Sequence, residues 1–101
     1  MINVTVSYTV KKDFVETNKQ NISTFLNDFK NLDQNRFSYR ILLKDDGITF
    51  VHISKYSDEE IQTELLNSAS FLEFQKQRDE SGLNGSHKVE ILEFIGESGS
   101  F

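Results

Sequence analysis

One histidine set among apolar neighbours and three tyrosines are the residues of this sequence best suited to handling a proton on a small oxygenated molecule. His52 stands between Val51 and Ile53. An unperturbed imidazole titrates near ~6.5, so His52 has the chemistry of a general base that could take a phenolic proton. The competing reading is a hydrogen-bonded histidine in a core or an interface. Tyr8, Tyr39 and Tyr56 offer ring faces and hydroxyls to an aromatic ligand, or pack in the ordinary way with the hydroxyl at the rim. Asn18 sits at helical spacing from Val15 and Ile22, and points into a pocket or into solvent at the open end of its helix. Arg40 reads as an anion contact or as an ion-pair partner at an interface. The 16 acidic residues include no pair whose spacing demands general acid–base work.

Composition narrows the chemistry. The chain has no cysteine, which excludes a thiol nucleophile, disulfides and thiolate metal sites. Its 2 histidines are too few for a typical histidine-rich metal centre. The net charge is −5 and Lys and Arg are not clustered, so no nucleic-acid partner is expected. No apolar run approaches the ~20 residues of a membrane span, and the first residues lack the pattern of a signal peptide. The expected location is cytoplasmic.

The elements that must carry these side chains are legible from periodicity. Ile2, Val4, Val6, Tyr8 and Val10 alternate with polar residues, as in a half-buried strand. Residues 13–32 switch to helical spacing, with Asp13 and Glu16 as the start signal. Residues 36–56 read as a β-hairpin about Asp46-Gly47, the favoured pair for a two-residue turn with both residues at positive φ. That turn sets Leu43 opposite Phe50, Ile41 opposite His52, Tyr39 opposite Ser54 and Phe37 opposite Tyr56. Ser57-Asp58-Glu59-Glu60 caps a second helix. A break is predicted near Ser68, with a further helical segment from about Phe71 to Arg78 behind a Ser70–Glu73 capping box. Residues 87–95 form a last strand. The domain is assigned to residues 1–96 and a flexible tail to 97–101.

Strand, helix, hairpin, helix, strand is the βαββαβ order of the ferredoxin-like α+β fold. Two right-handed crossovers give an antiparallel four-stranded sheet in the order 4-1-3-2, with both helices on one face. The other face still carries Leu42, Val51 and Ile53, and the last strand is apolar on both sides. A sheet with one wet side should alternate apolar and polar. The second face is therefore expected to be covered by another copy in a homodimer.

Two stretches, Lys44-Asp45-Asp46-Gly47-Ile48-Thr49-Phe50-Val51-His52-Ile53 and Leu65-Leu66-Asn67-Ser68-Ala69-Ser70-Phe71-Leu72-Glu73-Phe74-Gln75, resemble the antibiotic-biosynthesis monooxygenase family of the dimeric α+β barrel superfamily. In element order the resemblance covers nearly the whole chain. It implies a pocket between helices and sheet, and a dimer whose two sheets close a barrel. The family includes cofactor-independent oxygenases of quinol-like aromatics, haem-degrading enzymes and many small proteins without known activity. The haem-degrading branch carries an iron-ligating histidine where this chain has Gln75. It carries a tryptophan at Leu65, and its pocket asparagine falls near Ser7. Glutamine is a poor iron ligand beside imidazole, so haem degradation is not expected, and Gln75 becomes a candidate polar pocket group. The resulting expectation is a cofactor-free monooxygenase-like protein acting on a small aromatic or quinol-type substrate. In that reading His52 is catalytic, and Tyr8, Asn18, Tyr39, Tyr56 and Gln75 bind substrate, with no cofactor and no metal. The alternative is a non-catalytic dimeric module that binds a small ligand or a partner protein.

Overall fold

The computed structural model describes residues 1–99, so the last two residues of the expected tail lie outside the described residues. The chain runs β1 (Ile2–Thr9), a 3-10 turn (Lys12–Phe14), α1 (Val15–Phe29), β2 (Phe37–Leu43), β3 (Thr49–Tyr56), α2 (Glu59–Leu66), α3 (Ala69–Gln77), a π turn (Arg78–Gly82) and β4 (Lys88–Leu92). The sheet is antiparallel with the order β2-β3-β1-β4, the ferredoxin-like α+β arrangement expected.

The hairpin register holds, while its turn differs. Leu43 pairs with Phe50, Ile41 with His52, Tyr39 with Ser54 and Phe37 with Tyr56. Within the turn only Gly47 has positive φ, at 77°, so Asp46 does not enter the left-handed region that a two-residue type I′ turn needs. The loop is wider. Lys44 N–H donates to Thr49 O, and the carboxylate of Asp46 accepts from the N–H groups of Ile48 and Thr49 and from the Thr49 hydroxyl. A four-residue connection has the parity of a two-residue one, so every side chain keeps its face.

Helix starts follow local chemistry only in part. Asp58 caps α2 by accepting from Ile61 N–H at 3.0 Å, and Arg36 grips the same carboxylate at 2.9 and 3.0 Å. Asp13 caps nothing, because residues 12–14 first form the 3-10 turn and α1 begins without a side-chain cap. The expected Ser70 capping box also fails. The break falls at Asn67 and Ser68, α3 starts at Ala69, and Ser70 is already inside it with its hydroxyl buried and unpaired. The last strand closes at Leu92, shorter than the expected 87–95.

The core lies between the helices and one sheet face. Phe25 of α1 is fully buried and meets Phe29, Tyr39, Phe71 and Phe74 at centroid distances of 4.9–5.7 Å. Such edge and tilted aromatic pairs add about 0.5–1.5 kcal/mol each beyond area burial. The π turn is held to the end of β1 by Lys11 N–H to Gly82 O at 2.8 Å and Asn84 N–H to Thr9 O at 2.9 Å. Gly82 is buried, and a Cβ there would stand 2.5 Å from the Phe14 ring. Gly82→Ala is therefore expected to cost about 1–3 kcal/mol, as overpacking does, read as a lower urea midpoint. An unchanged midpoint would show that the Phe14 ring swings aside freely.

Candidate functional site

Sheet register builds the floor of the candidate site. Tyr39, Ser54, Val4 and Ile91 stand in one row across the four strands, and His52, Val6 and Val89 in the next. Ser54 is the small residue of its row, so space opens above it between Tyr39 and Val4. Phe71, Phe74, Gln75 and Arg78 form the facing wall, and the cavity measures about 220 Å³. Tyr56 and Gln75 both line it. Arg40 does not, since it lies on the opposite sheet face beside Ser38, Ile53 and Lys55.

A hydrogen-bonded row crosses three strands beneath this cavity. Asn18 Nδ2 donates to the Tyr8 hydroxyl at 3.0 Å. The Tyr8 hydroxyl is 2.7 Å from His52 Nε2, and the Tyr39 hydroxyl is 2.7 Å from His52 Nδ1. Asn18, Tyr8 and His52 are each at most 2 % exposed. A neutral imidazole has one donor and one acceptor nitrogen, so one tyrosine donates to it and the other accepts. With Asn18 donating to Tyr8, the Tyr8 proton goes to Nε2, Nδ1–H donates to Tyr39, and the Tyr39 proton is left for the cavity. Turning the Asn18 amide by half a turn reverses the row, so its direction follows from the orientation given to that amide. Asn18 Oδ1 is then buried without a partner.

The electrostatics are those of a dry site. Burial, with the Arg78 guanidinium adding to it, depresses His52 to about 3. Burial likewise pushes the hydroxyls of Tyr8, Tyr39 and Tyr56 above the ordinary tyrosine range. His52 is thus a neutral ring with both nitrogens engaged. The structure brings four of the sequence-predicted residues (His52, Tyr8, Tyr39 and Asn18) into one row, and Tyr39 and His52 of that row line the cavity.

Sequence reasoning missed Arg78. Its guanidinium carbon is 5.1 Å from the Tyr8 ring centroid and 5.4 Å from that of Phe74, and its side chain is 5 % exposed. The available signal was spacing, because Phe71, Phe74 and Arg78 fall on one helical stripe. Among the described residues no group of three His, Asp or Glu side chains is placed to hold a metal ion, and no helix is long and apolar enough to cross a membrane.

This fold recurs in solved structures. One described as an antibiotic biosynthesis monooxygenase matches with a TM-score of 0.81 over 95 % of this chain and 100 % of its own, at 10 % identity. The fold is that of the antibiotic biosynthesis monooxygenases. Rv0793 from Mycobacterium tuberculosis matches with a TM-score of 0.80, at 18 % identity, over 97 % of this chain and 98 % of its own. A conserved protein from Methanosarcina mazei Go1 matches with a TM-score of 0.77, at 15 % identity, over 90 % and 89 %. No family model and no curated protein matches the chain.

Proposed function

We propose that the cavity binds a small aromatic or quinol-type substrate and promotes its oxygenation without a bound cofactor. The observation that carries this reading is the Asn18–Tyr8–His52–Tyr39 row, which ends on a hydroxyl at an apolar cavity wall. A phenol and O2 give a quinone and water; one oxygen atom enters the ring, the other leaves as water, and the substrate supplies all the electrons. The protein's part is to hold the ring, exclude water and stabilise negative charge on the substrate oxygen as its proton is lost. Tyr39 touches that oxygen. His52 is a positioning residue, since it fixes the Tyr39 hydroxyl through Nδ1. This differs from the direct base that the sequence suggested, because neither ring nitrogen is free and the imidazolium is strongly disfavoured. The same saturation of His52 favours the second reading, a binding module without turnover.

The deciding measurement is incorporation of 18O from labelled O2 into 1-naphthol, with 1,4-naphthoquinone as product. Tyr39→Phe is expected to lower kcat on the order of 100-fold, the usual loss for one oxyanion donor, with a smaller change in KM. Absence of label above the protein-free rate, with 1-naphthol bound, would leave the module reading in place.

We further propose the homodimer. The helix-free sheet face presents Leu42 and Leu92 at 46 % and 47 % exposure, with Val51 and Ile53 half-buried between them. Polar Thr5, Ser7 and Arg40 share that face, and the segment 97–99 lies along part of it near Ile53. Past the edge strand, Phe94 and Ile95 are exposed too. Light scattering at micromolar concentration is expected to return twice the chain mass, and Ile53→Glu to return the mass of one chain. A single-chain mass for the unaltered protein would defeat the proposal.

A further inference from the structure

The geometry points to Arg78 as a carboxylate-binding residue, so that the ligand of this cavity is a planar aromatic acid. The inference rests on the cavity being the ligand site, as proposed above, and adds the charge of what enters it. Arg78 is 4 % exposed, yet among the described residues its side chain has one hydrogen-bonded partner, Asp79, reached through Nε at 2.9 Å. Among the described residues, neither terminal guanidinium nitrogen is hydrogen-bonded. Neither of these nitrogens is fully enclosed by protein, and Arg78 lines the cavity.

A guanidinium taken out of water needs charge and acceptors in return. Asp79 supplies only part of this, because its own side chain is 49 % exposed and so well solvated. The faces of Tyr8 and Phe74 supply a further part as cation–π contacts. What remains is a planar pair of terminal N–H donors beside an apolar cavity. A carboxylate fits that edge with two parallel hydrogen bonds, a geometry that a lone hydroxyl cannot complete. The rest of the cavity suits the ring system. Phe71 and Phe74 give apolar walls, and Tyr39 gives a donor for a second oxygen. The π turn that begins at Arg78 serves the same end. It is anchored by Leu83 N–H to Arg78 O at 2.9 Å, which fixes the backbone from which the guanidinium projects. Such turns recur at functional sites.

The test compares three probes by calorimetry on the unaltered full chain: 1-hydroxy-2-naphthoate, its methyl ester, and 1-naphthol. The acid is expected to bind on the order of 10- to 100-fold more tightly than either neutral compound, the increment of a two-toothed charged contact. Arg78→Met should bring the acid-to-ester affinity ratio, read within the variant, close to one, while Arg78→Lys should keep a minor part of it. Equal binding of acid and ester to the unaltered chain would overturn the inference without recourse to any variant. That result would not touch oxygenation of 1-naphthol. Conversely, acid-selective binding without 18O incorporation would sink the oxygenase reading and leave the role of Arg78 standing.

Discussion

Acidification from pH 7 to pH 4.5 is expected to remove about 2–3 kcal/mol of folding stability, before most carboxylates take up protons. The cause is His52. In the unfolded chain its ring has the ordinary value of 6.5, and in the fold burial and Arg78 hold it near 3. Below 6.5 the unfolded state therefore binds a proton that the folded state refuses. The stability contribution is complete above 6.5, declines by about 1.4 kcal/mol per pH unit below it, and is exhausted near 3. Asp46 and Asp58 are also held below the usual carboxylate value by their hydrogen bonds, to Thr49 and to Ile61 N–H first of all. Their contributions are present above 3.8 and are lost only as pH falls through still lower values, so the window from 6 to 4.5 isolates the histidine. Urea unfolding at pH 7, 6, 5 and 4.5 measures the slope. A midpoint that stays level down to pH 5 would mean that His52 reaches solvent or a charged partner in solution.

The part of this site that sequence could reach is the part written along single elements. The faces of His52 and Tyr39 follow from the hairpin's alternation, which survived a mistaken turn type because loops of two and four residues have equal parity. Asn18 fell on the inner stripe of α1 by its spacing, although spacing alone left solvent open as a destination beside the core it occupies. What periodicity does not carry is the pairing of distant strands. Tyr8 reaches His52 because β1 lies beside β3, with Val6 opposite His52 and Tyr8 one pleat further along. Nothing local to residues 2–9 states that neighbour. Arg78 was harder still, for a charged residue at a helix end is usually solvated. Its burial depends on the π turn that follows it and on two aromatic faces brought from β1 and α3. The capping errors have a common origin too. Asp13 and Ser70 sit in favourable sequence patterns, but the 3-10 turn and the earlier start of α3 had already placed both away from a cap position.

Replacing His52 with leucine is expected to destabilise the fold by about 2–4 kcal/mol, although leucine fills a similar volume and is the more apolar residue. The cost lies in its partners. Tyr8 is buried, and without Nε2 its hydroxyl keeps Asn18 as its one hydrogen-bond partner among the described residues. Tyr39, half-buried, loses the group that orients it. Removing one member of a buried polar set costs more than removing the whole set, because stranded groups keep their desolvation penalty. His52→Leu combined with Tyr8→Phe and Tyr39→Phe should therefore recover at least half of the loss, despite being three changes in one core. Asn18 Nδ2 would remain unpaired in that variant, which limits the recovery. Urea denaturation at pH 7 of the unaltered chain, the single variant and the triple variant tests this. A triple variant less stable than the single one would show that the row contributes through packing and not through satisfied polarity. Function is expected to part from stability here. The triple variant keeps Arg78, Phe71 and Phe74, and so should still prefer the aromatic acid to its ester. It lacks the Tyr39 hydroxyl that stabilises charge on the substrate oxygen, and its 18O incorporation should fall to the protein-free rate. Turnover persisting at the unaltered rate would assign oxygen activation to the bound anion and Arg78 alone.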